Sequence, residues 1–328
     1  MTNKICLIDA DSKIPNLPLM KLSTYYKNKG YQVDFYQANI PYYPHRIKKN
    51  WYAPKGYDKY FCSVIFFGNY KYIKGKNIIF GGTGSKDLTK KLPEKIESCE
   101  CDYSLYPNND KSYGFLTRGC IRNCDFCIVR QKEGYIRRVN SIDDIKRHRQ
   151  IVFLDNNILA YKKHGEIFKE LIDREIPCQF NSGYDIRLLN KKNVKQISKL
   201  KKIPAVRPYI FAFDDWSYKP IIDKKAPLLN WTTPYTVAMY LYVHPNMPIS
   251  DTINRIKYVK NKKWLPYLMR DISCWYSKRK QFYTHLAGYC NQPSIFKTHS
   301  FEQYLYRRCA KKEDAERSIK IWKENGGN

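Results

Sequence analysis

The hydrophobic positions form two series of short apolar runs separated by stretches of helical spacing, which predicts an α/β protein in two parts. In the first series Lys4–Asp9 reads as a brief apolar strand. Helical spacing follows over residues 17–29 through Leu19, Met20, Leu22 and Tyr26. Gly30 stops that helix, and 31–36 alternates as a strand. Residues 61–67 and 77–80 are further strands, the latter running into Gly81-Gly82-Thr83-Gly84. Strands alternating with helices imply a parallel, doubly wound sheet. Residues 99–112 are polar, turn-rich and without period, and read as a linker closing a domain of residues 1–98.

The second series has apolar runs at 113–117, 151–154, 177–180, 209–213, Val237–Val243 and 264–269. Helices are expected at 142–149, at 163–174 with Ile167, Phe168, Leu171 and Ile172 on one face, and at 191–200. Six such units suit an incomplete (β/α)6 barrel over 113–270, whose working residues sit at the C-terminal ends of the strands. Residues 271–328 complete the chain as a helical segment, with 301–323 as one or two amphipathic basic helices.

Composition narrows the class. Of 328 residues, 43% are hydrophobic and 15% aromatic, too apolar for a disordered chain. The first apolar stretch is broken by Asp9 and Asp11, unlike a signal peptide, and no run approaches the roughly 18 apolar residues of a membrane span. The expectation is a cytoplasmic protein with no membrane partner. Eleven unevenly spaced cysteines argue for reduced thiols rather than a disulfide framework. The net charge of +29 is spread along the chain, as +8 over 1–112, +11 over 113–250 and +10 over 251–328. Charge of this size leaves contact with nucleic acid open.

Three cysteines crowd into eight residues. The stretch Arg118-Gly119-Cys120-Ile121-Arg122-Asn123-Cys124-Asp125-Phe126-Cys127 follows a strand with the spacing C-x-x-x-C-x-x-C. Three thiolates can hold three corners of a [4Fe-4S] cluster and leave the fourth iron open. A zinc site is the alternative, and it needs a fourth ligand such as His148 or a water. Several later strands also end in polar groups: Asp155-Asn156-Asn157, Asn181 to Arg187, Asp214-Asp215 and His244. One such end is an ordinary helix cap; four in succession form a pattern.

The loop, with an aromatic before its third cysteine, resembles the signature of the radical S-adenosylmethionine (SAM) superfamily. The resemblance implies that Cys120, Cys124 and Cys127 bind the cluster, and that Phe126 packs near the adenine of SAM. Asp155, Asn156 and Asn157 would face its methionine or ribose part, Asp185 and Arg187 its carboxylate or ribose edge, and Asp214 the rim. Over residues 3–310 the chain resembles a group of bacterial and phage radical SAM proteins, through Asp9-Ala10-Asp11 and the stretches 15–22, 81–84, 102–106, 113–119, 132–134, 154–160 and 267–270. Ser182-Gly183-Tyr184 departs from that group, where a Gln-Gly-Leu type turn is usual. The implied fold is a Rossmann-like domain followed by a partial radical SAM barrel with C-terminal helices.

A Rossmann-like domain ahead of such a barrel is similar to the cobalamin-binding radical SAM methyltransferases. Their D-x-H-x-x-G turn corresponds here to Asp9-Ala10-Asp11-Ser12-Lys13, which has no histidine. Methylthiotransferases share the layout and carry a second cluster, for which Cys6, Cys62, Cys99 and Cys101 are available; core packing is the alternative. Three functions remain open. The first is a radical SAM enzyme acting on a macromolecule, RNA ahead of protein. The second is a small-molecule radical SAM enzyme whose basic surface docks reduced flavodoxin or ferredoxin. The third is a non-catalytic zinc protein that binds nucleic acid.

Overall fold

The computed structural model describes residues 3–41, 49–204 and 207–327. They divide into two compact units, residues 1–151 and 152–328. The fold is mixed α/β with several sheets of parallel strands.

The first unit begins with β1 (Lys4–Asp9), α1 (Leu17–Lys27), β2 (Gln32–Gln37), β3 (Trp51–Tyr52), β4 (Lys59–Ser63), β5 (Ile73–Lys74) and β6 (Ile78–Gly81). Strands β2, β1, β4 and β6 lie in that order in one parallel sheet. Alternation along β1 explains its unbroken apolar sequence. Ile5 and Leu7 pack with Leu19, Leu22 and Tyr26 of α1, whereas Cys6 and Ile8 pack with Cys62, Val64 and Ile73. A parallel strand covered on both faces has no polar side to show. Asn16 caps α1 by accepting from the Leu19 N–H, and Pro18 lies in the first turn. Past the helix Gly30 takes φ 78°, which a side chain would strain.

The unit continues through α2 (Glu94–Glu97), β7 (Lys111–Gly114), β8 (Thr117–Arg118), α3 (Val129–Glu133), β9 (Arg137–Arg138), α4 (Ile142–Ile145) and β10 (Gln150–Phe153), in which the division between the units falls. The stretch expected as a linker is knitted into this unit. Asp102 accepts from Ser23 at 2.6 Å and Lys27 at 2.7 Å. The Tyr106 hydroxyl donates to Asp9 at 2.8 Å and accepts from the Asn16 N–H at 3.1 Å. Its polar, aperiodic composition thus reflects pairing with the buried Ser23, Asp9 and Asn16 and the exposed Lys27.

The second unit contains α5 (His164–Asp173), β11 (Cys178–Phe180), α6 (Lys191–Lys199), β12 (Tyr209–Ala212), α7 (Lys219–Lys225), β13 (Val237–Val243), α8 (Ile249–Asn261) and β14 (Leu265–Arg270). Strand β11 lies beside β10, and β12, β13 and β14 form a parallel sheet in chain order. A parallel bridge, Tyr184 to Phe211, links the two groups. Rings of Phe153, Phe168, Phe180, Tyr184 and Phe211 pack at centroid distances of 5.0 to 6.4 Å in the core below. Four helices close the chain: α9 (Lys280–Cys290), α10 (Pro293–Thr298), α11 (Phe301–Arg308) and α12 (Lys312–Glu324). The basic stretch 301–323 is therefore two helices, and Phe301, Tyr304, Ile319 and Trp322 are their buried face. Among the described residues no helix is long and apolar enough to cross a membrane.

Candidate functional site

The cysteine loop joins β8 to α3 in the first unit. Its entry is fixed by Gly119, at φ 90°, where an added Cβ would stand 2.3 Å from the Tyr135 carbonyl oxygen. The next residue, Cys120, donates its N–H to the Gly134 carbonyl at 3.1 Å, so both ends of the loop are tied together. Within it the Arg122 N–H donates to the Cys120 sulfur at 3.3 Å, and the Cys127 N–H to the Cys124 carbonyl at 2.9 Å. Cys120, Cys124 and Cys127 are half-buried, and Phe126 is 43% exposed.

Cys99, Cys101 and Cys309 are half-buried too, and the other five cysteines are a contrast. Cys6, Cys62, Cys178, Cys274 and Cys290 are buried. Burial pushes the Cys6, Cys178 and Cys274 thiols up to about 12 and holds Cys62 and Cys290 above their usual value as well. A thiol kept protonated by desolvation is a poor metal ligand. Cys101 is likewise pushed up, to about 11. His148, the fourth ligand of a zinc reading, packs edge-on against Tyr103 at a centroid distance of 4.6 Å. Among the described residues no group of three or more His, Cys, Asp or Glu side chains is gathered so as to hold a metal ion. Cys120, Cys124 and Cys127 share one loop and are thiols, the kind of donor a cluster takes, with a backbone N–H on one sulfur, but they are not drawn together into such a group.

The other sequence-derived site residues lie in the second unit, each just past the C-terminal end of a strand. Asp155, Asn156 and Asn157 follow β10, with Asp155 and Asn157 buried. After β11, Gly183 takes φ 78° and lets the chain approach Ile210 of β12. Tyr184 then turns into the aromatic core at 5% exposure, so this unusual tyrosine packs inward. Asp185 and Arg187 form a pair: Nε donates to Oδ1 at 2.7 Å and Nη2 to Oδ2 at 3.1 Å. Burial opposes the Arg187 charge, but Asp185 outweighs it and holds the guanidinium above its usual pKa. The Arg187 fork also lies 4.6 Å from the Tyr218 ring centroid. The expected carboxylate-binding arginine thus already has a carboxylate partner.

Asp214 follows β12 and accepts from the Tyr242 N–H at 3.2 Å. Burial pushes its carboxyl up to about 6. Beneath it lies Arg255 of α8, fully buried, which the sequence reading did not select. Its Nη1 donates to the carbonyls of Phe213, Asp214 and Tyr242 at 2.9 to 3.0 Å, pinning the ends of β12 and β13 together. Its signal was present as one arginine among the apolar positions Ile249, Ile253, Ile256 and Val259 of a helix. His244, past β13, lies 3.8 Å from Asp271, which also accepts from the Tyr242 hydroxyl at 2.9 Å. Carboxylates, amides and an imidazole therefore follow the C-terminal ends of four strands, and a buried arginine ties two of those ends together.

In the first unit the turn aligned with a corrin-binding motif is occupied by its own bonds. Asp11 accepts from the N–H groups of Ile65 and Phe66 and from Asn69 at 2.7 to 3.1 Å. Gly82 and Gly84 are glycines for packing: added Cβ atoms would stand 2.2 Å from the Val64 and 2.3 Å from the Phe66 carbonyl oxygens. With no histidine and both features engaged internally, these residues do not fit a corrin. No protein-family model matches the chain, and no curated protein matches it.

Proposed function

We propose that this chain is a radical SAM enzyme, with a Rossmann-like first domain and a partial barrel built on the six strands β7 and β10 to β14. The observation that carries the reading is the three-cysteine loop. Its thiols are half-buried while five other cysteines are sealed in the core. Cys120, Cys124 and Cys127 would hold a [4Fe-4S] cluster, and the Arg122 N–H would stabilise the first thiolate. A bound [4Fe-4S] cluster would supply the one-electron chemistry for reductive cleavage of SAM. The chain's own residues bind and orient. Asp155, Asn156 and Asn157 offer acceptors and donors to the methionine and ribose parts, Asp185 and Arg187 to the carboxylate or ribose edge, and Phe126 an exposed ring to adenine. Asp214, pushed up to about 6, changes its proton near neutrality and can accept from or donate to a ribose hydroxyl. The order of β12, β13 and β14, each parallel to the next in sequence, supports the barrel reading.

The substrate we favour is RNA, on the charge of +29 and the 29 tyrosines, with reduced flavodoxin or ferredoxin as electron donor. The test is anaerobic reconstitution with iron and sulfide, followed by reduction in the presence of SAM. Wild type should hold about four irons per chain and release 5′-deoxyadenosine, and Cys124→Ala should lose both. Zinc without iron, with SAM intact, would overturn the reading in favour of a metal knot. RNA retention that does not weaken as salt is raised would overturn the choice of substrate.

A further inference from the structure

The first unit contains a cavity of about 1140 Å3, bounded by α1, β6, residues 90–101, α3 and β9. This is at the upper end of small-molecule sites, large enough for a nucleotide. Its walls combine aromatic rings, among them Tyr25, Phe61 and Phe80, with an excess of cations. The carboxylates that reach those cations are already shared. Glu97 accepts from Lys21 at 2.9 Å and Arg118 at 3.0 Å, and Glu133 accepts from Arg118 at 3.1 Å.

Two further lysines are held by main-chain carbonyls instead. Lys132 donates to Leu88 at 3.0 Å and Lys90 to Phe80 at 2.9 Å. A carbonyl orients an ammonium but does not neutralise it. Lys132 is half-buried, and desolvation holds its amine below the usual value. Lys29 and Lys95 both approach the Tyr25 ring, at 4.9 and 5.9 Å from its centroid, and add to the field. Glu133 and Asp87 offset part of the Lys132 charge, against Arg118 and Lys91, and Glu100 pairs with Arg147 at 2.7 Å. Cations still outnumber carboxylates on this concave wall, which attracts anions.

We propose that this cavity binds a nucleotide, with its phosphates on Lys90, Lys91 and Lys132 and its base against the aromatic wall. Arg118 and Lys132, which line the cavity, flank the cysteine loop in sequence, but the phosphate contacts use none of its cysteines. Phosphates supply the acceptors that the carbonyls only imitate, and ammonium groups bind them as point charges. The same chemistry could come from a free nucleotide or from one nucleotide of an RNA strand.

The experiment titrates the full chain with ATP, with adenosine and with a short single-stranded RNA, following binding calorimetrically. Lys90→Glu/Lys91→Glu and Lys132→Gln are compared with wild type. ATP should bind at least about tenfold more tightly than adenosine, and each variant should weaken it by about tenfold. Lys90 and Lys91 are exposed, so the double variant should keep its unfolding midpoint. RNA much tighter than ATP, with both weakened by the same variants, would identify the strand as the source; equal affinity would identify the free nucleotide. Adenosine binding as well as ATP, or ATP and RNA binding that ignores all three lysines, would overturn the proposal, as would no binding of either at millimolar concentration. Iron content measured on the same samples separates this outcome from the fate of the cluster.

Discussion

Arg255 donates through Nη1 to the main-chain carbonyl of Asp214 at 3.0 Å while its own side chain is fully buried. The same nitrogen reaches Phe213 and Tyr242, so one charge on α8 satisfies the last carbonyls of two neighbouring strands. Burial lowers the guanidinium to about 10, and Asp214 partly restores it. Arg255→Met keeps the volume but leaves those carbonyls without a donor. It should cost about 3–5 kcal/mol in chemical denaturation, as removal of one member of a buried charged network does. A loss below about 1 kcal/mol would mean that water replaces the guanidinium and that the arginine does not hold the two strand ends.

Asp214 gives the end of β12 a pH dependence of definite sign. Its folded-state pKa, about 6, lies above the ordinary 3.8, so the folded state favours the protonated form. The stability it contributes is full below the ordinary value and is lost as pH rises through about 6. Asp214→Asn cannot ionise. It should flatten the stability profile between about pH 4 and 6, and be more stable than wild type at pH 7 by about 1–3 kcal/mol. A profile that keeps the wild-type slope would assign the titration to another group.

Asp102 titrates in the opposite sense. Desolvation raises its pKa, but bonds from Lys27, Ser104 and Ser23 outweigh that and hold it at about 2. Its stability is fully present above the ordinary carboxylate value and is lost as pH falls through about 2. Asp102 is 15% exposed but its partner Lys27 is 43% exposed, so water screens part of the interaction. Asp102→Asn should lose about 1 kcal/mol at pH 7 and show little difference from wild type near pH 2, read by urea unfolding across pH. An equal deficit at both pH values would point to lost packing rather than lost charge.

These effects fall on residues that the sequence shows with unequal clarity. The strand β13 is recovered residue for residue, because seven apolar positions buried on both faces leave no competing period. The cysteine loop is visible because spacing alone brings three thiols within eight residues. Arg255 is only faintly visible: it stands among the apolar positions of its helix, but with Lys257 and Lys260 nearby it resembles a solvated face until the carbonyls around it are known. Asp102 and Tyr106 are obscured for a related reason. Their partners Lys27, Asp9 and Asn16 are 75 to 97 positions away in the chain, and local composition cannot tell a paired side chain from a polar linker. Gly82 and Gly84 are plain in the sequence but their reason is not: the space they leave is filled by the chain's own backbone at Val64 and Phe66.

Gly119 tests whether that kind of close approach also controls the cysteine loop. Its φ of 90° already disfavours any side chain, and an added methyl would meet the Tyr135 carbonyl oxygen at 2.3 Å, against backbone that cannot swing away. Gly30, at φ 78° with open space around its Cβ position, isolates the conformational strain alone. Gly30→Ala should therefore cost about 1–2 kcal/mol, and Gly119→Ala at least as much plus a displaced loop. The displacement separates two readings of the glycine. If the turn only packs, Gly119→Ala lowers the unfolding midpoint and leaves reconstituted iron per chain unchanged. If the turn sets the position of Cys120, iron retention and its charge-transfer absorbance fall toward those of Cys124→Ala even at temperatures where the variant is fully folded, while Gly30→Ala keeps both. We expect the second result, because Cys120 is the next residue and its N–H is the bond that ties the loop to Gly134.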